Sequence, residues 1–311
     1  MRSTLETGLG TLLICLLVWA GSFLFNDGID RSLLLAVNGS SRTPGLDGFM
    51  ILVTDFSVPY VATVLSLWGL GAEALERGWV SARSLQLSLR VLGCLIALAL
   101  AAWLVPTYTH RAAPAIAALL VVAGLWWAGG TYQSLPKETL AKLRRTFWLT
   151  VVSIVLVEIA LHFLGPLVVQ RPRPLAKPNA SWNAALHIVE DEYVRHGTSY
   201  VSGHAAALFA MLTPLMWAVR RPVLKVALFS WAALHALSRV YVAAHYPYCA
   251  LMGSFLGFSI ATLVVWTAPS GARKWKDSSV PADLPTSCGR SPAPPLTDSV
   301  RQESVRPRTL G

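Results

Sequence analysis

The chain is 311 residues long, 54% hydrophobic and only 14% charged, with a formal net charge of +10 and a mean hydropathy of +0.52. Those values lie well outside the composition of a soluble globular domain and exclude one as the bulk of the chain. They fit an all-α polytopic membrane protein, because runs of about 20 apolar residues cross the roughly 30 Å of bilayer hydrocarbon as helices.

Eight such runs are legible, near 8–25, 48–71, 88–106, 112–130, 147–168, 203–219, 223–243 and 248–267. The first follows a single Arg2, and Gly21-Ser22-Phe23 imitates a signal-peptide cleavage region. An uncleaved first helix fits better, since an even number of spans returns both termini to one side. Between the first two spans, Asp27 to Asp47 encloses Leu33-Leu34-Leu35, consistent with a short helix at the outer surface. The second span carries Asp55, and Arg77 and Arg83 follow it. The third and fourth spans hold no chemistry-bearing motif and read as an inserted hairpin. Lys137, Lys142, Arg144 and Arg145 precede the fifth span, where Glu158 and His162 lie four apart on one helical face and can satisfy each other.

Residues 166–202 form the longest segment between spans, with Pro166, Arg171-Pro172-Arg173-Pro174, Pro178 and the acidic Glu190, Asp191 and Glu192. A loop of this kind is a place for a binding site. It ends on Ser202-Gly203-His204, which opens the sixth span. Arg220, Arg221 and Lys225 precede the seventh, which ends on Ser238-Arg239, and His245 precedes the eighth, with Cys249 four residues on. Arg273, Lys274 and Lys276 follow, and after Trp266 a Pro-, Ser-, Thr- and Arg-rich composition through Gly311 reads as a disordered tail.

Basic residues gather in alternate loops, which puts both termini in the cytoplasm and the 166–202 loop outside. An inner, cell membrane is the expected location. The positive charge then reflects topology and anionic headgroups, and no nucleic-acid motif is present. Cys15, Cys94, Cys249 and Cys288 show no paired spacing, so neither a disulfide framework nor a zinc site is implied.

This topology brings Arg173, His204, Arg239 and His245 to one outer face. Arginine forks suit bidentate contact with phosphate. Ser202 and the Gly203 amide stand where a helix N-terminus attracts anions. Imidazoles, with an ordinary pKa of about 6.5, serve both as nucleophile and as proton carrier near neutrality. His235, one turn before Arg239, reads as a structural polar contact, and His110, His187 and His196 read as solvated loop residues.

Over roughly residues 147–267 the order Arg-Pro, Ser-Gly-His, Ser-Arg, five residues and His resembles the type 2 phosphatidic acid phosphatases, which share a fold with vanadium haloperoxidases. The resemblance implies that Arg173, Ser202, Gly203 and Arg239 bind phosphate, that His204 is the general acid, and that His245 is the nucleophile. It implies no metal and no cofactor. Three positions depart from the family pattern: Pro166 stands at its lysine, Val201 at a proline, and Cys249 at the aspartate expected to orient the nucleophilic ring. Asp55, Glu158, His162, Glu190, Asp191 and Glu192 are candidates to replace that carboxylate, the first three being ionisable groups within spans and therefore functional hypotheses.

The expected organisation is therefore spans with an inserted hairpin over 1–146, a phosphatase-like core over 147–267 and a tail over 268–311. The expected activity is hydrolysis of a lipid phosphate monoester or diphosphate, a prenyl diphosphate among them, with the substrate and membrane lipids as partners. A lipid phosphotransferase, a catalytically impaired lipid-phosphate binder and a transporter are the alternatives. The oligomeric state is open.

Overall fold

The computed structural model describes residues 2–39, 43–107, 122–124, 126, 134–176, 185–188 and 198–268. Its helices are α1 (Arg2–Gly21), α2 (Asp27–Gly39), α3 (Pro44–Glu76), α4 (Ala82–Thr107), α5 (Lys137–Leu164), α6 (Gly203–Ala218), α7 (Pro222–Tyr241) and α8 (Pro247–Thr267). An isolated antiparallel bridge joins Pro172 to Thr198, and no strand occurs among the described residues. Seven of the eight runs read from the sequence coincide with helices; the fourth, 112–130, falls mainly outside the described residues. By length and apolarity α3, α5, α7 and α8 can each cross a membrane, and α6 and the Leu5–Gly21 part of α1 are shorter apolar helices. Met1–Ala268 forms one compact unit. The expected tail, His110, His196, Cys288 and the acidic triplet at 190–192 lie outside the described residues.

Helix α6 is the centre of the bundle: every residue from Ala205 to Pro214 is buried, as expected of a helix apolar on all sides. Helix α8 lies directly against it. A Cβ on Gly253 would stand 2.3 Å from the Ser202 carbonyl oxygen, and one on Gly257 would stand 2.1 Å from that of Ala206. This small-xxx-small spacing lets two backbones touch where lipid offers no hydrophobic drive for helix association. It also fixes the start of α8, and so His245, beside the start of α6.

At the opposite end of the bundle, Glu73 of α3 accepts hydrogen bonds from Arg77 (2.5 Å) and from the Trp148 indole (3.1 Å). Arg144 lies 3.2 Å from Glu76. These polar ties clamp α3 to α5, where the Phe147 side chain packs directly on Gly69.

The short helix expected between the first two spans is α2. Leu34 is fully buried while Ile29 and Leu33 are exposed, and Asp27 and Asp30 occupy its first turn, where the helix dipole favours carboxylates. At its other end Asn38 donates to the carbonyls of His187 (2.8 Å) and Tyr241 (2.7 Å). His187 also meets Asp47 at 3.1 Å. The sequence expectation of a solvated, idle His187 is thus corrected: its ring and backbone tie the long loop before α6 to α2 and α3.

Candidate active site

Three stretches of chain converge at one end of α6. The 171–176 segment runs antiparallel to 198–200, the turn after α7 delivers His245, and α6 begins at Gly203. The turn is tight. The amides of Ala244 and His245 both donate to the Arg239 carbonyl, at 3.0 and 3.1 Å. Ala243 takes φ = +52°, a left-handed conformation that costs a non-glycine residue roughly 1–2 kcal/mol. Pro247 then starts α8, its fixed φ suiting the first helical position.

His245 is almost fully buried. Its Nδ1 lies 2.8 Å from the Ser199 carbonyl oxygen and its Nε2 lies 3.3 Å from Arg173 Nη1. A carbonyl can only accept and a guanidinium can only donate, so the neutral ring carries its proton on Nδ1 and presents a lone pair at Nε2. Burial, with the cations Arg173 and Arg239 and the neighbouring His204, holds the ring's pKa well below its ordinary value, while the Ser199 carbonyl works in the opposite direction. His245 is therefore a neutral imidazole near neutrality, with Nε2 facing a cation.

The group on the far nitrogen is a main-chain carbonyl. Cys249, at the position where the sequence comparison expects an orienting carboxylate, is fully buried and interacts with the Ser199 side chain and with Arg171. Its own carbonyl accepts from the Ser202 amide at 3.2 Å.

Arg239 is fully buried. Its Nη1 reaches Thr54 Oγ1 at 3.4 Å and lies 3.9 Å from Asp55 Oδ1. Thr54 also shares a 2.8 Å hydrogen bond with Ser238, so α3 supports the arginine from below. His235, one turn away, bonds the Val53 carbonyl at 2.9 Å, in keeping with a structural contact. Asp55 thus sits at the edge of the site as a partner of Arg239. Glu158 and His162 are exposed on the side of α5 turned away from its buried Val157, Ala160 and Leu164.

Ser202 precedes α6 with no side-chain cap bond, and its buried hydroxyl has no partner among the described residues. A buried hydroxyl left in this state costs about 1–3 kcal/mol unless something binds it. Beside it the Gly203 amide belongs to the unpaired N-terminal turn, a natural anion site. His204, next along the helix, is exposed. A pocket of ≈ 320 Å³ opens between the C-terminal end of α5 and the N-terminal end of α6, lined by Leu161, Leu164, Val168 and Val201 with Arg173 and Gly203 at its polar edge.

Sequence reasoning passed over the layer beneath these residues. Arg171, two positions before Arg173, is buried and bonds Asp30 and Asp27. The doubled Arg-Pro was the available signal for Arg171. The Asp27 and Asp30 spacing at the head of an amphipathic helix was the signal for its partners. Nothing in the sequence could single out the Ser199 carbonyl.

Residues 146–271 match the family model of the PAP2 superfamily, which gives the C-terminal half of this membrane protein a phosphatase-type domain. No curated protein and no solved structure matches the chain.

Proposed function

We propose, from the PAP2 domain at residues 146–271, that the protein is a membrane phosphatase acting on a lipid phosphate monoester or diphosphate. The observation that carries this reading is the buried His245, its Nδ1–H on a carbonyl and its Nε2 lone pair beside Arg173. Nε2 attacks phosphorus in line and the bond to the lipid oxygen breaks, giving phosphohistidine. Protonated His204 supplies the proton to the departing alcohol or phosphate. His204 then takes a proton from water as that water attacks phosphorus, which releases inorganic phosphate and restores both rings. Arg173, Arg239, the Ser202 hydroxyl and the Gly203 amide hold the non-bridging oxygens where charge develops.

The apolar pocket beside Arg173 and Gly203 supports a substrate whose phosphate is followed by hydrocarbon, and a prenyl diphosphate is one such molecule. Charge bias along the loops supports cytoplasmic termini in an inner membrane, with the site facing outward.

Phosphate release from a panel of lipid phosphates by detergent-solubilised protein tests the reading. Release is expected, together with an acid-labile, alkali-stable label on the protein, and both are lost in His245→Ala. Release undiminished in that variant refutes it. Cys249, with no carboxylate on the ring, favours a second reading in which the protein binds lipid phosphates without turnover; phosphate binding with no release by the native chain would establish that instead. Label recovered on a second lipid without free phosphate would mark a phosphotransferase.

A further inference from the structure

We infer that Asp30 of α2, well outside the family match, is a positioning residue of the phosphate site, holding the Arg171 segment and the start of α8 so that the Ser199 carbonyl meets His245. The inference rests on the proposed role of His245 as nucleophile.

Asp30 is buried, at 4% exposure, and each of its oxygens has a separate task. Oδ2 takes Arg171 Nη1, and Oδ1 accepts the Tyr248 amide at 2.9 Å, in the first turn of α8. Arg171 is itself buried; its second nitrogen reaches Asp27 at 2.6 Å and its guanidinium lies 3.4 Å from the centre of the Tyr246 ring. The Arg171 carbonyl accepts the Ser199 amide at 2.7 Å. Ser199 in turn meets both His245 Nδ1 and, through its hydroxyl at 3.4 Å, the Tyr246 amide.

These contacts close a circuit. From Asp30 it runs through Arg171 to Ser199, across to His245, along the chain to Tyr248 and back to Asp30. One carboxylate therefore sets both sides of the joint at which the ring's proton is held. A buried ion pair is a poor way to gain stability compared with apolar packing, whereas it is a good way to fix register. The location also suits this chain: Cys249 provides no carboxylate for the ring, the Ser199 carbonyl lies against Nδ1 instead, and a main-chain carbonyl is only as well aimed as the segments that carry it.

A scaffold role for α2 alone and a positioning role differ in what they do to His245. The ring is faced by Arg173 from the 171–176 segment, by Arg239 from α7 and by His204 from α6, and with burial all three depress its basicity; the Ser199 carbonyl opposes them. Loosening the carbonyl therefore lowers the ring's pKa further, while loss of folded protein leaves the pKa of the remainder unchanged.

The test compares the native full chain with Asp30→Asn in detergent. Phosphate release is followed against pH with a lipid phosphate that the native protein hydrolyses. Deuterium exchange at the His245 Cε1–H, which tracks ring protonation and needs no substrate, is followed against pH by mass spectrometry. In Asp30→Asn the exchange midpoint and the acidic limb of kcat/KM are both expected at lower pH. kcat is expected to fall about 10- to 100-fold, by analogy with groups that orient metal-binding side chains, with KM little changed. An exchange midpoint equal to the native one in folded Asp30→Asn overturns the inference. Should that variant not fold, Arg171→Lys keeps one bond to Asp30 but loses the fork and the stacked plane; a smaller shift in the same direction upholds the inference and an unmoved midpoint overturns it. A native chain with no turnover defeats the proposed function, and the exchange experiment still decides the role of Asp30.

Discussion

Replacing Arg173 by alanine separates the two things this side chain does. Its Nη1 lies 3.3 Å from His245 Nε2, so in the proposed reaction it touches the phosphoryl group that Nε2 attacks. A hydrogen bond from a cation to a charged group contributes about 1.5–3 kcal/mol, and each 1.4 kcal/mol is about tenfold. kcat/KM for phosphate release is therefore expected to fall roughly 10- to 150-fold. Arg173 is also one of the charges that depress the His245 pKa. Its removal raises that pKa, and because only the neutral ring attacks, the acidic limb of the kcat/KM profile moves to higher pH. Arg173→Lys keeps the charge without the fork, so it should leave the limb near its native position and recover part of the rate. Phosphate release by Arg173→Ala at nearly the native kcat/KM, or an unmoved limb, would refute this account of the site.

Cys249→Asp is expected to lower the thermal midpoint without raising phosphate release, because Asp30 already occupies Arg171 and Ser199 already occupies Nδ1; a large gain in release would show that the carbonyl does not serve as the orienter. Gly257→Val puts a side chain within 2.1 Å of the Ala206 carbonyl oxygen, so α8 must move off α6. Overpacking costs about 1–3 kcal/mol, and a thermal midpoint lowered by several degrees, with weakened release, is expected; native values for both would refute the close approach. The depressed His245 pKa makes the folded state resist protonation, so its share of stability is present above the unfolded value of about 6.5 and lost as pH falls below it. Thermal midpoints measured against pH should therefore decline less steeply in His245→Asn than in the native chain, and identical slopes would show that the ring is not held neutral.

The membrane class and the helix positions were legible because apolar runs of bilayer length are a direct sequence signal, as are the basic residues between them. Residues near Arg173, Ser202, Arg239 and His245 were legible as a group because their ordering along alternate spans places them on one face. What escaped was long-range and local at once. Asp30 meets Arg171 across 141 positions, and such a pairing leaves no periodicity in a single sequence. Ser199 acts through its main chain, which every residue possesses. His187 looked like a solvated loop residue because its partners, Asn38 and Asp47, lie 149 and 140 positions away.

Arg173→Ala and Asp30→Asn together test the site more sharply than either does alone. Both reduce phosphate release, as almost any damage to a buried site would. Their effects on the His245 ring have opposite signs, since one removes a cation that disfavours the protonated ring and the other loosens a carbonyl that favours it. A general loss of fold cannot move one acidic limb up and the other down, and neither can a mechanism in which some other residue attacks the phosphate. In the double variant the two shifts should largely cancel while the losses of rate compound. A double variant whose limb follows either single variant would mean that Asp30 and Arg173 do not act on the same ring.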